Sequence, residues 1–346
     1  MTESKGIIKN GKNVRTFEDL NEDVVQAGKC CACGACISYC ESQSFDVIKM
    51  ENHVPQFKSD ENADNCTVED EIGKREDILA AKTTHEQIKE VGQDGGIVTT
   101  ILKYLFDRHK IDAAVVSEYN DQLETEPKII FDKEELLKSS GTRYSVSSQV
   151  LPLKDLYNIS LEIQKKKGIY DIDQLRLAFV GTPCQVRAIR KMKFLNIKPA
   201  HVIQYIISLF CYENFDYDKL YEILEKETKI KSTNIKSTFI KKNFFINTKD
   251  DTQIEVDIKK LDPAVRNTCQ SCDEFTGRFS DISVGSSGAP KGYSMIIMRN
   301  EKGQKLISQL ISQNYIEQYV VPPEKSKEWQ DAKVKGFKRM IRLKSK

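Results

Sequence analysis

Five of the ten cysteines in this sequence lie between positions 30 and 40. Four of them, Cys30, Cys33, Cys36 and Cys40, have the spacing C-x2-C-x2-C-x3-C, in which a tight loop directs thiolates at one face of a cubane iron–sulfur cluster. Zinc is the alternative, since any four thiolates can bind it tetrahedrally, but zinc ribbons place two C-x-x-C pairs far apart. The spacing therefore predicts a [4Fe-4S] cluster near the N-terminus.

The sequence offers two candidates for the fourth ligand of this cluster. In two-cluster ferredoxins the last cysteine of such a run binds the second cluster, and a proline usually follows it. Here Cys40 precedes Glu41, and no second run appears downstream, although Cys66 stands where one would begin. We expect one N-terminal cluster, held by the first three cysteines of the run and by Cys40 or Cys66, with a three-iron cluster as the alternative. Cys31 falls outside the spacing and is expected to be a bystander.

Four further cysteines are more widely placed, at Cys184, Cys211, Cys269 and Cys272. The first two each follow an apolar segment with the pattern of a strand, and the carboxyl ends of strands form the ligand edge of open α/β sheets. A C-x-x-C pair from a later loop would complete a four-thiolate site there. The alternative is that the first two are small buried apolar side chains and the pair is incidental. Spacing alone leaves both open.

The elements that would position these cysteines alternate between helix and strand. The pattern predicts helices over 74–91, 97–110 and 185–194, and strands over 111–117, 175–181 and 201–210. Shorter strands follow over 242–248, 252–258, 281–285 and 294–299, with helices over 217–227 and 303–313. Such alternation favours a partly parallel α/β core.

Composition divides the chain into four parts. We expect a leader with the cluster module over 1–72, core segments over 73–200 and 201–322, and a basic tail over 323–346. A basic run of this kind is typical of a solvated end, with a docking arm as the alternative.

Charge and hydropathy exclude several functions. The 53 Lys and Arg residues almost balance 51 Asp and Glu, a net charge of +2, whereas a phosphate-tracking protein needs a cationic excess. We therefore expect no nucleic-acid partner. No apolar run is long enough to span a membrane, which leaves peripheral docking open. The N-terminus lacks the apolar core of a secretion signal, so the cytoplasm is expected.

Six motifs in order resemble one family, the beta subunits of coenzyme F420-reducing hydrogenases and F420-dependent formate dehydrogenases. They are QDGGIVTTILKYL (93–105), SSGTRYSVS (139–147), GTPCQVRAIRKM (181–192), FCYENFDYDKL (210–220), CQSCDEFT (269–276) and DISVGSSGAPKGYSMIIMR (281–299). The N-terminal module resembles the ferredoxin-like module of the subunits that oxidise reduced F420. The resemblance implies a mixed sheet with helices on both faces, a strand-rich C-terminal portion and a small N-terminal ferredoxin-like module.

The resemblance also implies the chemistry. Family members bind FAD, exchange a hydride with F420 at the flavin N5, and pass single electrons through [4Fe-4S] clusters, so no side chain is assigned as catalytic. By motif matching, Cys184, Cys211, Cys269 and Cys272 would hold a second cluster beside the flavin. A flavin is the natural converter, since a deazaflavin exchanges only hydrides and a cluster only single electrons. The partner would be an electron-accepting or electron-donating subunit or a ferredoxin. The oligomeric state is left open, with a homo-oligomer as one alternative.

The non-cysteine motifs suggest the flavin and F420 contacts. Gly95 and Gly96 begin a helix and, with Thr99, would present backbone amides to a diphosphate. The alternative is that the start of this helix simply needs glycine. No G-x-G-x-x-G fingerprint is present. Arg143 would bind an anionic group of the ligand, and Tyr144 would supply a ring for stacking. The alternative is that this segment is an ordinary polar turn.

A second glycine-containing segment, SGAPKGYS, is expected to be a rigid loop that approaches the ligand. Its candidate contacts are Gly288, Pro290, Lys291 and Gly292, with Lys291 toward the acidic tail of F420.

Two alternative functions stay open. One is a ferredoxin-dependent reductase similar to the enzymes that reduce chlorophyll intermediates. The other is a non-catalytic electron-transfer or docking subunit, against which the intact GTPCQ and DGG motifs speak.

Overall fold

The computed structural model describes residues 7–9, 12–14, 21–28, 30, 48–51, 54–57, 72–270, 272 and 274–344. The chain forms two compact units, residues 1–74 and 75–346. In the first unit, β1 (Ile7–Lys9) pairs antiparallel with β2 (Lys12–Val14), and β3 (Ile48–Glu51) pairs antiparallel with β4 (Val54–Phe57). A short π-helical segment, Asn21–Gln26, lies between these hairpins in the sequence.

The second unit contains the remaining strands. They are β5 (Asp77–Thr83), β6 (Ala113–Tyr119), β7 (Thr125–Ile130), β8 (Leu177–Gly181), β9 (Ile203–Leu209), β10 (Ile235–Ile240), β11 (Phe244–Thr248), β12 (Gln253–Val256), β13 (Ile282–Gly285), β14 (Ser294–Met298) and β15 (Ile316–Gln318). Eight of them form one sheet in the order β15-β5-β14-β13-β9-β8-β6-β7, and β10, β11 and β12 form a separate antiparallel sheet.

The large sheet is mixed, as the α/β pattern predicts. Its centre is parallel, because β13, β9, β8 and β6 pair in the same direction. The outer pairs β13–β14, β14–β5, β5–β15 and β6–β7 are antiparallel. Two reversals between β13 and β5 restore the direction, so β5 also runs parallel to the central strands.

Eight α-helices are described in this unit, several of them connecting the strands of the large sheet. They are α1 (Glu86–Val91), α2 (Ile97–Asp107), α3 (Leu161–Lys167), α4 (Pro183–Phe194), α5 (Tyr217–Thr228), α6 (Asn267–Gln270), α7 (Glu301–Ser312) and α8 (Ser326–Lys344). Single 3₁₀ turns or short 3₁₀-helices occupy Lys133–Ser139, Leu151–Asn158, Ile172–Gln174, Ala200–Val202, Ser232–Asn234, Ile258–Ala264 and Pro323–Lys325.

Alternate side chains of the central strands build a core on each face of the sheet. Val116 and Val180 pack with α2 and α7 on one face. Val115 and Phe179 point the other way and pack with α4. Because successive strand residues face opposite sides, a strand covered on both faces is apolar throughout, which is why LAFVG contains no polar residue. Helices therefore lie on both faces, as the family resemblance implies.

A third core joins the antiparallel sheet to α5. Leu220 and Leu224 on α5 pack with Phe244 and Ile246 of β11, and all four side chains are fully buried. This is the strand-rich portion that the sequence pattern predicts after residue 215.

The prediction of one helix over 74–91 is wrong in its first half. Residues Asp77–Thr83 form β5, which pairs with β14 on one side and β15 on the other, and only Glu86–Val91 is helical. The run LAAK has good helix formers, but pairing on both sides and burial of Leu79 and Ala81 outweigh that local preference.

The expectation of a solvated basic tail also needs correction. Residues Ser326–Lys344 form α8, in which Phe337, Ile341 and Lys344 are buried. Phe337 and Ile341 are four residues apart, the spacing that places side chains on one helical face. In the part of the chain that the structure describes, none of the helices has the length and apolarity to cross a membrane.

Candidate functional site

The predicted site residues of the second unit collect around one edge of the large sheet. Strands β5, β6, β8, β9 and β13 run in one direction, so the segments that follow them leave from the same side. We call this side the carboxyl edge, and it comprises residues 84–96, 120–124, 182–184, 210–216 and 286–293. In open α/β sheets, ligands bind outside this edge.

Cys184 is positioned by the N-terminus of α4, directly after β8. Thr182 is the N-cap, Pro183 occupies the first helical position, and Gln185 completes a capping box with Thr182. The sequence TPCQ therefore ends the strand and begins the helix within four residues. The Sγ of Cys184 is exposed and lies 3.3 Å from the Thr182 hydroxyl.

Cys211 follows the neighbouring parallel strand, β9. Its backbone N–H donates to the carbonyl of Phe275 at 2.9 Å, which ties it to the segment after the C-x-x-C pair. Burial raises the pKa of the Cys211 thiol to about 12, and the nearby sulfurs of Cys184, Cys269 and Cys272 act in the same direction. Lys344 opposes them. The other three thiols, from two further segments, are thus close enough to Cys211 to affect its pKa.

The C-x-x-C pair lies at the end of a short helical turn. Cys269 belongs to α6, and the backbone N–H of Cys272 donates to its carbonyl at 3.3 Å. A cavity of about 310 Å³ opens beside the pair; it is lined by Tyr212, Glu213, Val265, Cys269, Gln270 and Lys344. The cavity therefore contacts both the Cys211 segment and the C-x-x-C segment.

Four thiols are the type of donor that an iron–sulfur cluster uses, and zinc can use the same donors. All four cysteines are free thiols. Within the described ranges, no group of three or more Cys, His, Asp or Glu side chains is arranged to hold one metal ion. A cubane spreads its four thiolates around several irons, so its ligands stand farther apart than the four ligands of tetrahedral zinc.

The first glycine segment packs tightly under the carboxyl edge. A Cβ on Gly95 would lie 2.4 Å from the carbonyl O of Ala81 and 2.6 Å from the N of Ser294. Gly96 has a left-handed φ of 63° and is the N-cap of α2. The amide of Gly95 donates to Ser294 Oγ at 3.1 Å, and that of Gly96 donates to Gln93 O at 3.2 Å.

Both amides expected to meet a diphosphate are therefore used within the protein. The next amides of α2 have no intrahelical acceptor, as in the first turn of any helix. Thr99 is buried in that turn, and its hydroxyl lies 3.0 Å from the Ser140 hydroxyl.

The segment with Arg143 and Tyr144 lies beside this helix start. The guanidinium of Arg143 donates to the carbonyls of residues 138, 139, 140 and 141 at 2.8–2.9 Å and lies over the ring of Tyr119 at 5.0 Å. The hydroxyl of Tyr144 accepts from Gln93 Nε2 at 3.3 Å and from the Ile240 amide at 2.9 Å. Arg143 thus shapes its own loop, and Tyr144 joins the first glycine segment to the antiparallel sheet.

The second glycine segment follows β13. Gly288 and Gly292 both have a φ of 78°, the left-handed region that favours glycine. The amide of Tyr293 donates to the carbonyl of Pro290 at 3.0 Å, which closes a turn around Lys291. Lys291 is exposed. This loop meets the first glycine segment through Ser294 and through a hydrogen bond between the side chains of Asp94 and Ser286.

Three residues that build this edge are not evident from the sequence. Ser294 accepts from Gly95, Phe210 packs over Gly285, and Lys344 contacts the cysteine segments. Only the apolar spacing within the basic tail hinted at the last of these.

The predicted N-terminal cluster is not described in full. Cys30 is half-buried in the first unit. Cys31, Cys33, Cys36, Cys40 and Cys66 lie outside the described residues, so their assignments stay predictions.

An α/β fold with thiols and two glycine loops at one sheet edge is that of a redox subunit, and the comparisons define which family. Residues 78–154 match the N-terminal model of the coenzyme F420 hydrogenase/dehydrogenase beta subunit, and residues 174–323 match its C-terminal model. The chain belongs to this family of oxidoreductase subunits, which confirms the resemblance seen in the motifs.

Individual relatives agree with this assignment. The chain is 30% identical over 346 residues to an uncharacterized protein of Methanocaldococcus jannaschii, covering 88% of this chain and 92% of that protein. It is 31% identical over 305 residues to one of the subunits of the F420H2 dehydrogenase of Methanosarcina mazei, covering 82% of each. A chain of the F420-reducing [NiFe] hydrogenase complex from Methanosarcina barkeri has a TM-score of 0.68 and 28% identity, covering 80% of this chain and 91% of that one.

Proposed function

We propose that this chain is a flavin- and iron–sulfur-containing subunit that transfers electrons between reduced coenzyme F420 and a protein partner. The observation that carries the proposal is that two glycine segments, Cys184 and Cys211 converge on the carboxyl edge, with Cys269 and Cys272 beside Cys211. Related chains are named as F420H2 dehydrogenase and F420 hydrogenase subunits, which supports the same substrate here.

The site has a glycine half, formed by the two glycine segments, and a cysteine half, formed by the segments with the four cysteines. These two halves are in direct contact. Phe210 precedes Cys211, and its amide donates to the carbonyl of Val284 at 2.8 Å. A Cβ on Gly285 would lie 2.3 Å from the ring of Phe210, so this glycine lets the cysteine segment pack against the start of the second glycine loop. A group bound between the loops would therefore sit next to the thiol cluster, as short-range electron transfer needs.

FAD is the group that suits the glycine half. The free amides in the first turn of α2 favour a diphosphate, and Gly95 lets this turn approach the sheet closely. Bound FAD would supply the conversion between a hydride and two single electrons. The role of the chain is to hold the flavin at the edge, with Tyr144 beside the helix start and the exposed Lys291 available to the acidic tail of F420.

The cysteine half would hold a [4Fe-4S] cluster through Cys184, Cys211, Cys269 and Cys272. Because thiols bind iron as thiolates, cluster binding must release their protons, and the raised pKa of the buried Cys211 makes this release harder at that ligand. An N-terminal cluster bound by Cys30, Cys33 and Cys36, with Cys40 or Cys66, would connect this site to the partner. The partner would be a subunit or a ferredoxin.

The test is anaerobic reconstitution of the full chain with FAD, iron and sulfide. Reduced F420 is added with a viologen dye, and oxidation of the deazaflavin is followed by its absorbance. We expect oxidation that requires FAD, and about four fewer irons per chain in Cys211→Ser. Cys31→Ser is the matched control and should keep both.

Failure would have a definite meaning. A brown, flavin-loaded chain that does not oxidise reduced F420 would overturn the substrate. The search would then move to reductases driven by ferredoxin, the alternative within the same fold.

A further inference from the structure

Helix α8 packs back onto the carboxyl edge, although it lies beyond the matched family region, which ends at residue 323. Its residue Gln330 donates to the carbonyl of Ile78 at 3.2 Å, which fixes the helix to β5. Its buried residues Phe337, Ile341 and Lys344 face the protein. The helix is therefore part of the folded unit.

Phe337 links the two halves of the edge. Its ring meets the ring of Phe210 edge to face, with centroids 5.2 Å apart. A Cβ on Gly288 would lie 3.9 Å from Cε1 of Phe337, so the same ring also borders the second glycine loop. One side chain of α8 thus touches the segment of Cys211 and the loop proposed to approach the flavin.

Lys344 joins the two cysteine segments themselves. Its ammonium donates to the carbonyl of Cys211 at 2.8 Å and to the carbonyl of Glu274 at 2.7 Å. The side chain is 7% exposed, which is unusual for lysine. The thiol of Cys272 lies 3.7 Å from the same Glu274 carbonyl, so a single ammonium connects the backbones beside two ligand candidates.

Two acidic residues lie near Lys344. The carboxylate of Glu274 pairs with Arg278 Nε at 2.5 Å. Glu213 lines the same cavity as Lys344, and Lys344 itself is nearly buried. The positive charge is thus held in a low-dielectric pocket, where it acts strongly on neighbouring groups.

We propose that Lys344 is the positioning residue of the inner cluster: it fixes the separation of the Cys211 and Cys272 segments and raises the reduction potential of the cluster between them. This proposal rests on the proposed function, because it needs a cluster at these cysteines. Adding one electron to a cluster adds one negative charge, and a fixed positive charge a few ångströms away stabilises the reduced form.

The test compares three variants of the full chain. Lys344→Met keeps the length of the side chain and removes the charge, Lys344→Arg keeps the charge, and Lys335→Met removes an exposed charge from the same helix. Each is reconstituted, its iron content is measured, and the midpoint potential of the cluster is determined by redox titration with electron paramagnetic resonance detection. Thermal unfolding of the iron-free forms is recorded in parallel.

We expect the midpoint potential of Lys344→Met to shift to a more negative value, while Lys344→Arg and Lys335→Met stay near wild type. The iron-free Lys344→Met chain should also unfold at a lower temperature than Lys335→Met, because two buried carbonyls lose their donor. If Lys344→Met does not fold, Lys344→Gln replaces it, because its amide can still donate to a carbonyl but carries no charge. A midpoint potential more negative than wild type in Lys344→Gln supports the proposal, and a wild-type potential overturns it.

Two results separate failure of this proposal from failure of the function. A wild-type potential in iron-loaded Lys344→Met would overturn the role of Lys344 and leave the function intact. A wild-type chain that takes up no iron at these cysteines would overturn the cluster assignment and the proposal with it, whereas the unfolding comparison of the iron-free chains would still report whether Lys344 ties the two segments.

Discussion

The backbone amide of Gly95 donates to the side-chain oxygen of Ser294 at 3.1 Å, although 199 residues separate them in the sequence. This bond joins the turn before α2 to the first residue of β14. Both glycine segments of the carboxyl edge are therefore held by one buried contact, and a change at Gly95 must disturb both.

Gly95→Ala tests this contact. The added methyl would lie within 2.6 Å of two backbone atoms, so the turn must shift. We expect a loss of about 1–3 kcal/mol in the free energy of unfolding, together with weaker FAD binding, measured by denaturant unfolding and flavin fluorescence. Gly336→Ala is the control, since nothing lies within 4 Å of its added methyl and the exposed helical site should gain up to about 1 kcal/mol. Wild-type FAD affinity in Gly95→Ala would separate the glycine from the flavin site.

Arg143 offers a second test of the same region. Its guanidinium bonds four successive carbonyls, a pattern that the single ammonium of lysine cannot reproduce. We expect Arg143→Lys to lower the free energy of unfolding by about 2 kcal/mol, measured by denaturant titration. The exposed Arg339→Lys serves as control. A stable Arg143→Lys chain with lost FAD binding would instead favour a direct ligand contact.

Protonation of Asp281 should lower the stability of the fold at acid pH. Its carboxylate is 2% exposed and meets Arg190, Lys302, Asn300 and the amide of Ile206 at 2.8–2.9 Å. Burial by itself raises its pKa, but the two cations and the amide of Asn300 outweigh that effect, so the pKa is lowered. The stabilisation is therefore complete above the unfolded value of about 3.9 and disappears as the pH falls through the lower folded value.

Asp281→Asn should cost about 2–4 kcal/mol at pH 7, because two cations lose their partner. The difference from wild type should shrink below about pH 4, as measured by urea unfolding at several pH values. Asp155→Asn removes an exposed carboxylate outside these ion pairs and should follow the wild-type curve. A pH-independent difference would show that Asp281 acts through its hydrogen bonds alone.

Cys33→Ser tests the proposed route to the partner. The variant should still oxidise reduced F420 with a small dye but should lose reduction of the protein partner, because only the N-terminal cluster is affected. Both rates are measured on one preparation, with Cys31→Ser beside it. Unchanged delivery to the partner would remove the N-terminal cluster from the route.

The sequence predicts best those parts of the fold in which apolar residues recur with a clear helical or strand pattern. Five elements lie near their predicted positions: strands β8 and β9 and helices α2, α4 and α7. A continuous apolar run reflects a strand buried on both faces, and helical spacing reflects a helix buried on one face. The strand β5 was missed because its alanines and lysine favour helix locally, and only its partners β14 and β15 reveal its burial.

The site divides in a similar way. The cysteines and glycines are visible in the sequence, since their chemistry depends on residue type and spacing. Their supports are not visible: Ser294, Phe210 and Lys344 are ordinary residues whose importance comes from contacts across long stretches of chain. In the basic tail, only the spacing of Phe337 and Ile341 indicates a buried face, and it does not identify Lys344 as part of that face.

The position of α8 also bears on how the protein is made. Synthesis runs from the N-terminus, so Cys184, Cys211, Cys269 and Cys272 all leave the ribosome before the residues of α8 exist. During that interval Phe337 and Lys344 cannot yet contact the carboxyl edge, so the four thiols emerge without the contacts that α8 makes. Docking of α8 afterwards adds the last contacts to the Cys211 and Cys272 segments, so the closing of this edge depends on the final residues to be translated.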